Sequence, residues 1–324
     1  MKLGELFDRA IALGMKHDPR SEEVARRDLE KAKKEYQELK EDQKGEFDPD
    51  RLSNPYADSR ILYGERQREV KRVLLGIDME VGEVLLADRL GEKGKKIDLI
   101  LSHHPEGRAL ASFYEVMGMQ ADILNKYGVP IAVAEGILEP RIKEVQRRVM
   151  PSNHTRAVDV AALLDIPFIC VHTPADNMVT TYLQKRMDEE EPFWVKDVLQ
   201  ILKGIPEYQE GVRNHGGPNI LLGSDKRRAG KVFVDMTGGT GGSKEAFEKI
   251  ARTEVGTIVG MHIGEEHRAE AEKNHLNVVI AGHVPSDSLG LNLLLDELGQ
   301  EGSLEIIPCS GFRRISRLVG PAPA

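Results

Sequence analysis

Two cysteines among 324 residues rule out a disulfide framework. Cys170 and Cys309 each close or follow an apolar run, so they read as buried thiols of a reducing compartment. Aromatic residues are scarce at 5%, with a single Trp, so the core must be built from aliphatics. No stretch approaches the roughly 18 apolar residues of a membrane span. The first twenty residues mix acidic with apolar side chains and do not read as a secretion signal. Basic residues are in deficit: 45 Lys and Arg stand against 53 Asp and Glu, a formal charge of −8. Nonspecific nucleic-acid binding needs a basic face and is not expected here. These absences predict a cytoplasmic protein.

The first 60 residues stand apart. Leu3, Leu6, Phe7, Ala10, Ile11 and Leu13 form one helical apolar stripe that ends near Gly14. From Ser21 to about Lys44 the chain is charge-dense and free of Gly and Pro until that end. Ser21, Glu22 and Glu23 suit a helix start, where a hydroxyl and carboxylates meet unpaired N–H groups. The few apolar residues that follow predict a solvated helix lying on the body or on a neighbouring subunit. Residues 47–60, with two prolines, read as a linker.

Short aliphatic runs then alternate with helical stretches. Strands are predicted at 72–77, 97–102, 130–134, 167–171, 219–223, 231–235, 256–260, 277–281 and 304–307. Helices are predicted at 79–92, 111–127, 139–149, 156–165, 243–253 and 264–275. Apolar runs without alternation suit strands covered on both faces, so the fold class is α/β with largely parallel sheets. A short polar turn between 219–223 and 231–235 predicts a hairpin. Segment 186–216 breaks the rhythm. The expected organisation is an N-terminal helical extension and linker (1–60), a first α/β lobe (61–190) and a second α/β lobe (191–324).

Several strands end alike. One runs into His103-His104-Pro105, one into His172-Thr173-Pro174-Ala175-Asp176, and one into His283-Val284-Pro285-Ser286-Asp287. Parallel strands in an open sheet turn their carboxyl ends toward one crevice. Four of the ten histidines would therefore converge there with two carboxylates, a ligand set suited to Zn, Fe, Mn, Ni or Co. Adjacent strand residues point apart, so His103 and His104 serve two neighbouring ions better than one. Pro285 suits a helix start, and the spacing of His283 and Asp287 puts both on one side of it. A carboxylate is needed to bridge two cations that repel each other, and Asp287 is preferred to Asp176. His172 either ligates or orients the loop that presents Asp176.

A glycine-rich turn, Gly238 to Ser243, follows strand 231–235; Gly239, Thr240, Gly241, Gly242 and Ser243 are expected to hold an anionic group. The alternative is a tight strand-to-helix turn with no ligand. Its spacing matches neither a Walker loop nor a dinucleotide fingerprint. Asp78 reads as a helix cap. His262 and His267 follow another strand and are placed to line the same crevice, whereas His154 and His215 read as surface residues.

In this order, the His-His-Pro, His-Thr-x-x-Asp, Gly-Gly-x-Gly-Gly and Ala-Gly-His-x-x-x-acid motifs resemble the Nif-three-like family, which includes proteins called type 2 GTP cyclohydrolase I. The resemblance covers residues 60–310. It implies a two-lobed α/β fold with mixed, largely parallel sheets flanked by helices, assembled into a ring-like homohexamer. It also implies a dinuclear site inside the ring, ligated by His103, His104, Asp176, His283 and Asp287. Three features depart from the family pattern. Asp287 stands where the family usually has Glu, the stretch between His104 and His172 is longer than usual, and the first 60 residues have no counterpart.

Motifs and resemblance together predict two divalent ions per chain. The expected function is a metal-dependent hydrolase of a small anionic substrate, a nucleotide or phosphoester, with hydrolytic opening of the GTP purine ring suggested by the family. His172 or His262 would carry protons, since imidazole titrates near neutrality. The alternative is a non-catalytic metal-binding, metal-delivery or regulatory scaffold oligomer. The same ligands serve both, and an open coordination position separates them. A nucleotide-binding module that uses the glycine turn without metals is a third reading.

Overall fold

A computed structural model describes residues 1–299 and 304–318. Among these, nine strands form two sheets: β1 (Arg60–Tyr63), β2 (Arg72–Gly76), β3 (Leu99–Ser102), β4 (Phe168–Cys170), β5 (Asn219–Leu222), β6 (Lys231–Asp235), β7 (Val255–Gly260), β8 (Asn277–Ile280) and β9 (Glu305–Pro308). The first sheet has the order β1-β4-β3-β2-β9 and the second β5-β8-β7-β6. Each is parallel except for one antiparallel edge strand, β1 against β4 and β5 against β8. The aliphatic runs explain this. Val73 to Leu75 and Leu99 to Leu101 are fully buried, as strands covered by helices on both faces must be.

Two helices precede the sheets, α1 (Leu3–Lys16) and α2 (Glu22–Glu38). Between β2 and β3 lies α3 (Val81–Glu92), and between β3 and β4 lie α4 (Gly107–Ser112), α5 (Met119–Lys126), α6 (Ile131–Val149) and α7 (Arg156–Leu163). Then come α8 (Thr173–Glu190), α9 (Val195–Lys203) and α10 (Pro206–Arg213), followed within the second sheet by α11 (Glu245–Ile250), α12 (Glu265–Lys273) and α13 (His283–Gly299).

Sequence and structure differ at particular places. Residues 130–134, expected as a strand, form the start of α6. Pro130 suits a helix entry, and Ala132, Ala134 and Glu135 are good helix formers. Its buried residues, Ala134, Leu138 and Val145, lie on one helical face. The expected hairpin is absent, because β5 and β6 occupy opposite edges of the second sheet. The half-exposed side chains of β5 suit an edge. The loop leaving β5 is pinned elsewhere, by a bridge between Trp194 and Arg228 and by the Arg228 guanidinium 3.5 Å above the Phe193 ring.

Two long-range features position the site. The α1 stripe packs Leu6, Phe7, Ala10 and Ile11 against Ala175 and Met178 of α8 and Leu291, Leu294 and Leu295 of α13. Each buried Leu, Ile, Phe or Met side chain among them stabilises by about 1.5–3 kcal/mol. The long segment after β3 crosses to the second sheet, where Met119, Leu124, Ala134 and Leu138 pack on Phe233, Phe247 and Val278. Conversely, β9 returns from the C-terminal part to pair with β2 in the first sheet. The helices α8 and α13 meet closely at Gly290, where any Cβ would collide with the Ala175 carbonyl oxygen. That approach brings their first turns together.

Candidate metal centre

Each strand of the motif delivers its side chains as a strand end or a first helical turn. His103 and His104 follow β3, His172 follows β4, and Asp176 lies in the first turn of α8. His283 opens α13 and Asp287 lies one turn in. The carboxyl edges of both sheets meet here, so residues 184 positions apart in sequence touch: His103 Nε2 lies 3.5 Å from Asp287 Oδ1. It also lies 3.4 Å from Asp176 Oδ1. The other Asp287 oxygen, Oδ2, is 3.6 Å from both His104 Nε2 and His283 Nε2. His172 Nε2 lies 3.6 Å from Asp176 Oδ2.

Two groups of three emerge, His103, Asp176 and Asp287, and His104, His283 and Asp287, each with its donor atoms within 4.8 Å of one another. Asp287 belongs to both and turns one oxygen to each. A third overlapping group joins His103, His104 and His172. The separations are too long for good hydrogen bonds. Accordingly His103 Nε2, Asp176 Oδ1 and both Asp287 oxygens are buried with no hydrogen-bond partner. Buried polar atoms are seldom left so. Four orphaned donors converging in one place fit a divalent cation, which would take imidazole nitrogens and carboxylate oxygens at about 2.0–2.2 Å each.

The electrostatics agree. Burial works against charge on His103, but Asp287 and Asp176 outweigh it and raise the imidazole to about 10. Burial opposes ionisation of Asp287 too, yet His103, His104 and His283 hold its carboxyl far below the usual range. His172 is raised by Asp176 and Asp58 against the effect of burial. His283 is lowered by burial and by the neighbouring imidazoles, although Asp287 opposes this.

Outer groups fix the imidazoles. Asp78 Oδ1 pairs with His104 Nδ1 at 2.6 Å, and the Val171 carbonyl lies 3.2 Å from His103 Nδ1. Asp58 Oδ2 pairs with His172 Nδ1 at 2.8 Å and accepts from Thr173 Oγ1 at 2.6 Å. Ser59 Oγ accepts the His172 backbone N–H at 2.9 Å. In each case an engaged Nδ1 leaves Nε2 facing the cluster. Sequence reasoning missed Asp58 by reading 47–60 as a linker; the segment is instead anchored, with Asn54, Tyr56, Asp58, Ser59 and Arg60 all buried. Asp78, expected as a helix cap, serves His104.

The cluster floors a crevice of about 320 Å³ lined also by Asp235, His262 and Gly239 to Gly242. The His262 ring lies 4.9 Å from that of His283. Ser243 lies behind the loop, where its Oγ accepts from Glu245 N at 3.3 Å. His267 is not in this crevice; its Nε2 lies 2.9 Å from the Gly242 carbonyl oxygen. His215 is exposed and His154 half-buried, both outside the cluster. Cys170 is buried as expected, and Cys309 is half-buried.

A two-sheet α/β scaffold with a histidine–carboxylate cluster where the sheet edges meet defines the class. Among solved structures, the chain is similar to a NIF3 superfamily protein from Sphaerobacter thermophilus, with 26% identity over 79% of this chain and 92% of that one, at a TM-score of 0.69. It is also similar to reduced HcgD from Methanocaldococcus jannaschii (17% identity, 78% and 89% covered, TM-score 0.49) and to a Bacillus cereus protein related to NIF3 (11%, 82% and 93%, TM-score 0.40). No family model matches the chain, and no curated protein does. The chain shares the fold of NIF3 superfamily proteins, as the resemblance of its motifs implied. No helix among the described residues is long and apolar enough to cross a membrane.

Proposed function

We propose that the cluster holds two divalent metal ions and that the protein is a metal-dependent hydrolase of a small anionic substrate, a nucleotide or phosphoester. The observation that carries this is the set of four buried, unpartnered donors on His103, Asp176 and Asp287. His103, Asp176 and Asp287 would hold the inner ion, and His104, His283 and Asp287 the outer one. Bound there, the ions would supply Lewis acidity and charge compensation at the crevice floor. The residues around them have separate tasks. Asp287 would serve both positions, and Asp78 and Asp58 orient His104 and His172. His172 and His262 carry protons at the crevice wall, and Gly239 to Gly242 face the substrate's anionic group, with Ser243 closing the turn behind them. Opening of a purine nucleotide ring is the version suggested by the family resemblance. A homohexamer, on the same ground, and a cytoplasmic location, on the ground of composition, complete this reading.

One observation favours catalysis over a closed structural or delivery site: the His283 side of the cluster opens into the crevice. The test is a panel of nucleotides and phosphoesters assayed on metal-stripped protein reloaded with Mn, Zn, Fe or Co. Turnover that disappears in His283→Ala supports the hydrolase. Two tightly bound equivalents with no turnover on any substrate would favour the delivery or scaffold reading.

A further inference from the structure

The crevice does not end at the histidines. Behind the glycine loop opens a second chamber of about 230 Å³ that shares Asp235, His262 and the loop residues Thr240 to Gly242 with the first. Its walls carry an apolar surface formed by Ile123, Leu124, Leu138, Phe233 and Phe247, with Arg141 and His267 also lining it. The partition is firmly held. Gln120 Nε2 donates to the carbonyl oxygens of Gly238 and Thr240 at 2.6 and 2.7 Å, and Arg141 Nε donates to that of Gly241 at 3.1 Å.

Asp235 stands out. It ends β6 at the carboxyl edge, is open to both cavities, and has no hydrogen-bond or ion-pair partner among the described residues. Nearby cations are engaged elsewhere: Arg141, which lines the chamber, pairs with Glu144 at 2.9 Å, Lys244 with Glu266 at 2.8 Å, and Lys231 lies over the Tyr127 ring at 5.6 Å. Asp235 is itself exposed, so its unpaired carboxylate stands at the mouth of the apolar chamber, where a ligand's N–H groups can reach it. Phosphate would be repelled from it. The volume is below that of pockets which hold whole drug-sized ligands, so it suits one ring system.

We propose that this chamber is a recognition subsite for a flat ring bearing an amidine or amino-heterocycle group. Asp235 accepts the paired N–H donors, and Phe233, Phe247 and Leu138 cover the ring. The anionic part of the same substrate then lies toward His104 and His283; this orientation, though not the subsite itself, rests on the hydrolase reading above.

The test is a titration of full-length, metal-stripped protein with benzamidine, a flat ring with paired donors, and with benzamide, its neutral near-isostere. Benzamidine is expected to bind in the millimolar range, with benzamide about ten-fold weaker. Asp235→Asn should weaken benzamidine about ten-fold and Asp235→Glu should restore part of it, both with unchanged melting temperature and metal uptake. Equal affinity for the two probes, wild-type affinity in Asp235→Asn, or no saturable benzamidine binding would overturn the subsite. So would loss of a metal equivalent in Asp235→Asn, which would make Asp235 part of the metal centre. The titration needs neither metal nor turnover, so its failure and that of the hydrolase reading are separable.

Discussion

The two halves of the cluster differ in how they meet solvent. The inner group, His103, Asp176 and Asp287, is buried throughout, whereas in the outer group His104 and His283 have side chains 27% and 42% exposed. Burial disfavours charge on both imidazoles, yet the net signatures are opposite, raised at His103 and lowered at His283. Two carboxylates dominate around His103, and imidazoles crowd His283. The contrast teaches that the positions are unequal. The inner one has the enclosure of a retained, structural ion and the outer one the access that substrate chemistry needs.

The largest effect should come from the residue both halves share. Asp287→Ala is expected to lose at least one metal equivalent per chain, and Asp287→Glu to retain both, read by elemental analysis of the purified variants. Next, His103→Ala should leave one equivalent that exchanges readily with solvent, and His283→Ala one that resists a chelator. Equal exchange rates in the two variants would erase the distinction.

Helix spacing should have a smaller effect. Gly290→Ala forces a Cβ onto the Ala175 carbonyl, so α8 and α13 must part. A loss of about 1–3 kcal/mol in denaturant unfolding, with weaker metal uptake, is expected. His172→Ala should keep both ions but slow turnover by about 10²–10⁴-fold if the imidazole carries protons. Loss of an ion would instead make His172 a ligand. The smallest effect concerns the thiols. Burial pushes Cys170 up to about 12 and Cys309 up to about 11, so neither should react appreciably with a thiol reagent at neutral pH before unfolding.

The cluster was legible because its chemistry sits in contiguous motifs at strand ends, and parallel strands make such ends neighbours. His103, His104 and Asp176 come together as that rule requires within the first sheet, whereas His283 and Asp287 follow β8 of the second sheet and join them because the two carboxyl edges meet. Their partners were not legible. Asp58 meets His172 only after the chain between them has folded, and nothing local marks an acid in a proline-containing segment. Asp235 ends a strand unremarkably, and only the packing of α5, α6 and α11 sets an apolar chamber beside it. Residues 130–134 show how a short apolar run stays ambiguous between strand and helix. The edge positions of β5 and β6 follow from long-range pairing that a polar turn cannot reveal.

The central claim is that one carboxylate joins two cation positions. X-ray data collected at the metal edge, on crystals of protein purified without chelators or a histidine tag, test it most directly. Two anomalous peaks are expected, one among His103, Asp176 and Asp287 and one among His104, His283 and Asp287, with Asp287 contacting both. A single peak, or peaks away from Asp287, would contradict the account.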